Sequence, residues 1–92
     1  MIRSTELRNK LDDVMDMLTS NYTPTQWKAK KEIDVARHKE AKRVYKEAKD
    51  AISFEDIDWD DDTFYEDYEA ISQLIGRLEC EIKKMEEDLN IC

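Results

Sequence analysis

The residues able to do chemistry in this 92-residue chain are few, and they are grouped by charge rather than in a catalytic pattern. The only histidine, His38, stands in Arg37-His38-Lys39, with no serine or cysteine beside it in a nucleophile context. That setting predicts a solvated imidazole, which alone supplies no acid–base pair. A single glycine leaves no phosphate-cradling loop. One histidine and two distant cysteines, Cys80 and Cys92, fall short of a zinc ligand set, and neither cysteine has a CxxC partner. Asp56, Asp58 and Asp60 occupy positions 1, 3 and 5 of a calcium-loop pattern. Asp61, however, stands where glycine makes the sharp turn, and Asp67 where a bidentate glutamate belongs. These residues point to a binding protein with no enzymatic activity, no cofactor and no metal site.

Charge is the more informative signal. From Trp27 to Lys49 the chain carries nine Lys/Arg against four acids, and from Asp50 to Glu69 it carries ten acids and no base. The net charge of -8 therefore joins a basic segment directly to an acidic one, and the two can do different electrostatic work. In the basic segment, Lys39, Lys42, Arg43 and Lys46 recur at spacings of three and four, on neighbouring helical faces. Such a face can bind phosphates; pairing with Glu40 and Glu47 within the helix is the competing use. The adjacent carboxylates disfavour long nucleic acid and leave a small anion as the better fit. In the acidic segment, Phe54, Asp58, Trp59, Asp60, Asp61 and Asp62 begin an alternation of acids and aromatics that runs to Tyr68. This surface can imitate a phosphate row and fill a basic groove on a host or defence protein, the rings supplying contact area. A solvated loop with its rings folded back on the helix ends is the alternative.

The elements that must position these groups are helical. Hydrophobic residues make up 40% and charged residues 41%, with one Gly and one Pro, a composition of long helices in an all-α fold. The length allows one domain over residues 1–92. A first helix is expected over residues 5–18, where Leu7, Leu11, Val14, Met15 and Leu18 share a face. Thr23-Pro24-Thr25-Gln26 writes a capping box, with Tyr22 and Trp27 placed as a hydrophobic staple, and opens a helix over residues 24–52. An acidic loop follows over residues 53–62. Thr63 to Glu66 reads as a second capping box, opening a helix over residues 63–90. There Phe64, Tyr68, Ile71, Ile75, Leu78, Ile82, Met85 and Leu89 form a 4-3 heptad seam. Gly76 within it offers either a close helix crossing or a tolerated surface position. The second helix answers this seam mostly with alanine, so the expected architecture is a short helix followed by a long antiparallel, coiled-coil-like hairpin completed by a second copy of the chain.

Tyr22-Thr23-Pro24, then His38 to Arg43, then the closing segment Ile71 to Leu78, resemble the small helical-hairpin anti-CBASS family of phage proteins. That family sequesters cyclic oligonucleotide signals made by bacterial immune enzymes, and the resemblance covers residues 21–83. It implies a homo-oligomer with cyclic di- or trinucleotides held between protomers and not cleaved. On that pattern Tyr22 stacks on a base, Lys42 or Arg43 meets phosphate, Lys28 assists at the capped helix start, and His38 opens the charged stretch. The implied setting is the host cytoplasm. This agrees with the scarcity of cysteine and with the absence of a signal-like N-terminus or a membrane-length apolar run.

Overall fold

Leu7, Leu11 and Val14 lie on one stripe of a helix that proves to be a full member of the core. The computed structural model describes residues 1–90 and is mostly helical: α1 (Ser4–Thr19), α2 (Pro24–Lys28), α3 (Lys30–Ser53) and α4 (Phe64–Asp88). Two-residue strands β1 (Ile2–Arg3) and β2 (Ile57–Asp58) pair in parallel, Ile2 opposite Ile57, and a 3-10 turn spans Asp61–Thr63. Cys92 lies outside the described residues.

Parallel pairing of β1 with β2 sets the starts of α1 and α4 side by side, and α3 runs antiparallel against both. Packing between α1 and α4 is the most extensive in the bundle. The mismatch read from the sequence, large side chains on the last helix against alanines on the one before, is thus answered within the chain. Leu7, Leu11 and Val14 of α1 join Ala41, Val44, Ala48 and Ala51 of α3 and Ile71, Ile75, Leu78 and Ile82 of α4 in one buried cluster. Alanine lets α3 come close, while each fully buried leucine or isoleucine contributes about 1.5–3 kcal/mol. Ile57 of β2 closes one end of this core.

The seam is shorter than its sequence pattern. Only its middle four residues are buried; Phe64, Met85 and Leu89 are half-buried, and Tyr68 is 52% exposed. Gly76 faces open space, since a Cβ there would meet nothing within 4 Å, so no helix crosses at it.

The Thr23–Gln26 capping box forms in both directions, the Gln26 amide donating to Thr23 Oγ1 (3.2 Å) and the Thr23 amide to Gln26 Oε1 (2.9 Å). The staple forms too, with the Tyr22 and Trp27 rings 5.3 Å apart. The expected continuous helix over residues 24–52 is nevertheless interrupted at Ala29 (φ -113°, ψ 26°), which separates α2 from α3. The second box is not formed: the Thr63 side chain caps nothing and donates to Asp67 (2.9 Å).

Candidate partner-binding surface

The end of α3 turns the chain sharply into the acidic segment. Glu55 takes a left-handed conformation (φ 52°), with its amide donating to the Ile52 carbonyl (3.2 Å) and the Asp56 amide to the Ala51 carbonyl (2.8 Å). This is a Schellman ending built with glutamate where glycine is usual. The chain then enters β2, and Asp60 caps the 3-10 turn by accepting from the Asp62 amide (3.1 Å).

What fixes this loop to the bundle is a carboxylate that faces inward. Asp67, 1% exposed on the first turn of α4, accepts from Ser4 Oγ (2.9 Å), Thr63 Oγ1 (2.9 Å) and Arg8 Nη1 (3.3 Å). The buried Ser4 hydroxyl also accepts from the Asp60 amide (3.3 Å), so one cluster ties the start of α1, the loop and α4 together. Burial pushes the Asp67 carboxyl up, but its three donors more than offset this and hold it below the ordinary aspartate value. Sequence pattern offered no sign of this role beyond an acid near a helix start.

On that base the aromatic rings form a ledge. Trp59 contacts Phe64 (5.1 Å between centroids) and Tyr68 (5.7 Å), and Phe64 contacts Tyr65 (5.4 Å) and Tyr68 (6.0 Å). Trp59 packs partly on the core, whereas Tyr65 is 85% exposed. The rings are therefore anchored on one side and open on the other. Around them stand Asp58, Asp60, Asp61, Asp62, Glu66 and Glu69, all exposed. Among the described residues none of these six has a cationic group within 4.0 Å. Asp58 to Asp62 and Trp59 thus come together as the sequence suggested. Phe54 does not join them: it is 78% exposed and lines a separate hollow with Met1, Ile2 and Lys10. Phe64, Tyr65 and Tyr68 complete the ledge; they belong to the acid–aromatic alternation that runs to Tyr68, and the heptad spacing also assigns Phe64 and Tyr68 to the seam.

The residues implied as a nucleotide site are scattered. Tyr22 lies at the opposite end of the bundle, in a cleft of ≈ 210 Å³ lined by Lys30, Asp34, Arg37, Lys84 and Asp88 over Leu18 and Met85. Its hydroxyl donates to Asp34 Oδ1, and its ring has the Arg37 guanidinium at 4.6 Å and Lys30 Nζ at 5.6 Å. The bond to the Asp34 carboxylate, then burial, raises the Tyr22 phenol above its ordinary value. Asp34 is pushed up by burial but drawn below the usual range by its bonds from Lys30 and Tyr22. The ring expected to accept a base is already in contact with cations and with Trp27. Lys28 and Lys42 are exposed at other places on the surface. Arg43 is held on Glu40, Nε to Oε2 at 3.1 Å, at the α1–α3 groove, and this pairing lowers the Glu40 carboxyl. His38, expected in solvent, is 8% exposed on the core face of α3. Its Nε2 has no hydrogen-bond partner among the described residues and lies 3.7 Å from Glu86 Oε2 on α4. The correction is one of helical phase: Arg37 and Lys39 flank His38 in sequence, but it shares its face with Ala41 and Val44.

Among the described residues no helix is long and apolar enough to cross a membrane, and no three His, Cys, Asp or Glu side chains gather as a metal-holding group. No protein-family model, curated protein or solved structure matches the chain.

Proposed function

We propose that this chain is a binding protein that docks its acidic aromatic end into a basic groove of another protein, in the manner of a nucleic-acid mimic. The observation that carries the reading is the ledge: six carboxylates without cationic partners around four contacting rings, on a base fixed by Asp67. Leaving so many like charges unpaired on an ordered surface costs stability through self-repulsion, and a basic partner would relieve it. Exposed tyrosines beside them offer rigid contact area at low entropic cost. A host or defence protein that handles nucleic acid, met in the host cytoplasm, is the partner class this chemistry fits.

The test is capture of host proteins on the immobilised chain, comparing wild type with an Asp58→Asn, Asp60→Asn, Asp61→Asn, Asp62→Asn variant. A captured protein that duplex DNA displaces and the variant fails to hold supports the reading. A captured set indifferent to both removes it.

A second reading, sequestration of cyclic di- or trinucleotides between copies of a homo-oligomeric, coiled-coil-like hairpin, draws on the exposed lysines of α3. Lys42 has no acidic partner within 4.0 Å among the described residues. Native mass spectrometry with cyclic di- and trinucleotides decides it. Stoichiometric adducts lost in Tyr22→Ala support sequestration, and a spectrum free of adducts rejects it for those ligands.

A further inference from the structure

Lys31, Lys39, Lys42, Lys46 and Lys49 of α3 are all exposed, and their spacings place them, with the half-exposed Val35, along one outward stripe. At 1.5 Å per residue the stripe is about 27 Å long. Glu32, Glu40, Glu47 and Asp50 fall on the flanks of α3, and among the described residues none of the five lysines has an acid within 4.0 Å. The molecule therefore carries unneutralised surfaces of opposite sign, among them this stripe on the side of the bundle and the aromatic ledge at its end. Neither can satisfy the other within one chain, because the ledge is fixed in place through Asp67 and the stripe faces away from the core.

We infer that a second copy of this chain occupies the lysine stripe with its acidic ledge, so that copies associate head to tail. Charge complementarity names the occupant. Five lysine ammoniums would face six carboxylates, with Tyr65 and Tyr68 available as faces for the ammonium groups and Val35 as an apolar contact. A long polyanion fits the stripe less well, since it would continue past Lys49 into the acids that follow, whereas a patch of six carboxylates can stop short of them. The contact is heterologous, so nothing closes it at two subunits and assemblies lengthen with concentration. The net charge of -8 opposes association when charges are unscreened. At an ionic strength of about 0.1 M the screening length of roughly 10 Å leaves local patches to dominate, and at about 1 M they too are screened. The contact uses the ledge to which the proposed function assigns a foreign partner, so self-association and partner capture would compete.

The experiment is sedimentation velocity on purified protein at several concentrations in about 0.1 M and about 1 M salt, with two charge-neutralised variants. Lys42→Gln, Lys46→Gln keeps only the ledge, and Asp61→Asn, Asp62→Asn keeps only the stripe. Wild type should form concentration-dependent oligomers that high salt dissolves. Each variant alone should associate about tenfold more weakly or worse, the loss of several rim-type ion pairs. Mixed one to one, the variants should recover a single interface and stop at a 1:1 dimer. Circular dichroism of each variant confirms that the helices persist. A monomeric wild type, salt-insensitive oligomers, or a mixture no larger than its parts overturns the proposal. So does tight binding of a labelled single-stranded oligonucleotide to the stripe in place of self-association. Because no foreign partner is present, failure here leaves the capture test above standing on its own.

Discussion

The two ends of the bundle handle charge in opposite ways. At the cleft end, Lys30, Arg37 and Lys84 stand among Asp34, Glu81 and Asp88, and Tyr22 is bound to Asp34 and flanked by Arg37. Cations and acids there are equal in number, with Lys30 paired to Asp34 (2.6 Å) and Lys84 to Glu81 (3.6 Å). At the ledge end one carboxylate, Asp67, is buried and fully bonded, while six others are left facing water. Groups that satisfy each other report on stability, whereas ordered charges without a cationic neighbour are what the proposed function draws on. On that criterion the ledge is the better candidate for function, although the cleft is the more enclosed hollow.

Substitutions can break or sharpen this contrast. The largest effect is expected in the shared middle: Leu11→Ala, removing a fully buried side chain between the two ends, should cost about 2–5 kcal/mol in urea unfolding. A loss under 1 kcal/mol would mean that α1 is not the third member of the core. Next comes Asp67→Asn, which removes the charge that gathers Ser4, Thr63 and Arg8, at about 2–3 kcal/mol. Its effect should also depend on pH. Asp67 titrates below its unfolded value of 3.8, so its contribution is fully present above that value and is lost as pH falls through the lower folded value. Unfolding midpoints followed from pH 6 to pH 2.5 should therefore fall less steeply in the acid range for the Asn variant than for wild type. Parallel profiles would deny Asp67 this role.

At the other end, Tyr22→Phe removes one hydrogen bond and leaves Lys30 to hold Asp34, so about 0.5–1.5 kcal/mol is expected by the same unfolding assay. An effect equal to that of Asp67→Asn would erase the difference between the ends. The smallest effect has the opposite sign. Gly76→Ala adds a methyl into open space on an α4 turn and should stabilise by about 0.5–1 kcal/mol. Destabilisation there would show that another molecule packs on that face.

Much of this was written locally. Thr23, Pro24 and Gln26 determined a helix start, Tyr22 and Trp27 its staple, and the spacing of Ile71, Ile75, Leu78 and Ile82 the buried stripe of α4. Each of these signals acts from one residue to another no more than five positions away, within about a turn and a half of helix, and charge segregation is likewise legible without long-range contacts. What the sequence left open depends on partners far along the chain. Ser4 meets Asp67 across 63 positions, and nothing in the immediate neighbours of Asp67 distinguishes it from Glu66 or Glu69, which stay in water. The same holds for Phe64 and Tyr68, which fit a heptad yet leave the core because the first turn of α4 presents Asp67 to α1 in their place. It holds again for His38, which stands between charged sequence neighbours and is buried by its helical phase. Residue type and spacing determined the helices and the sign of each surface. Only the packing of α1 against α4 decided which carboxylate would be buried as an anchor and which would stay in water, because burial depends on which surface another helix happens to occupy.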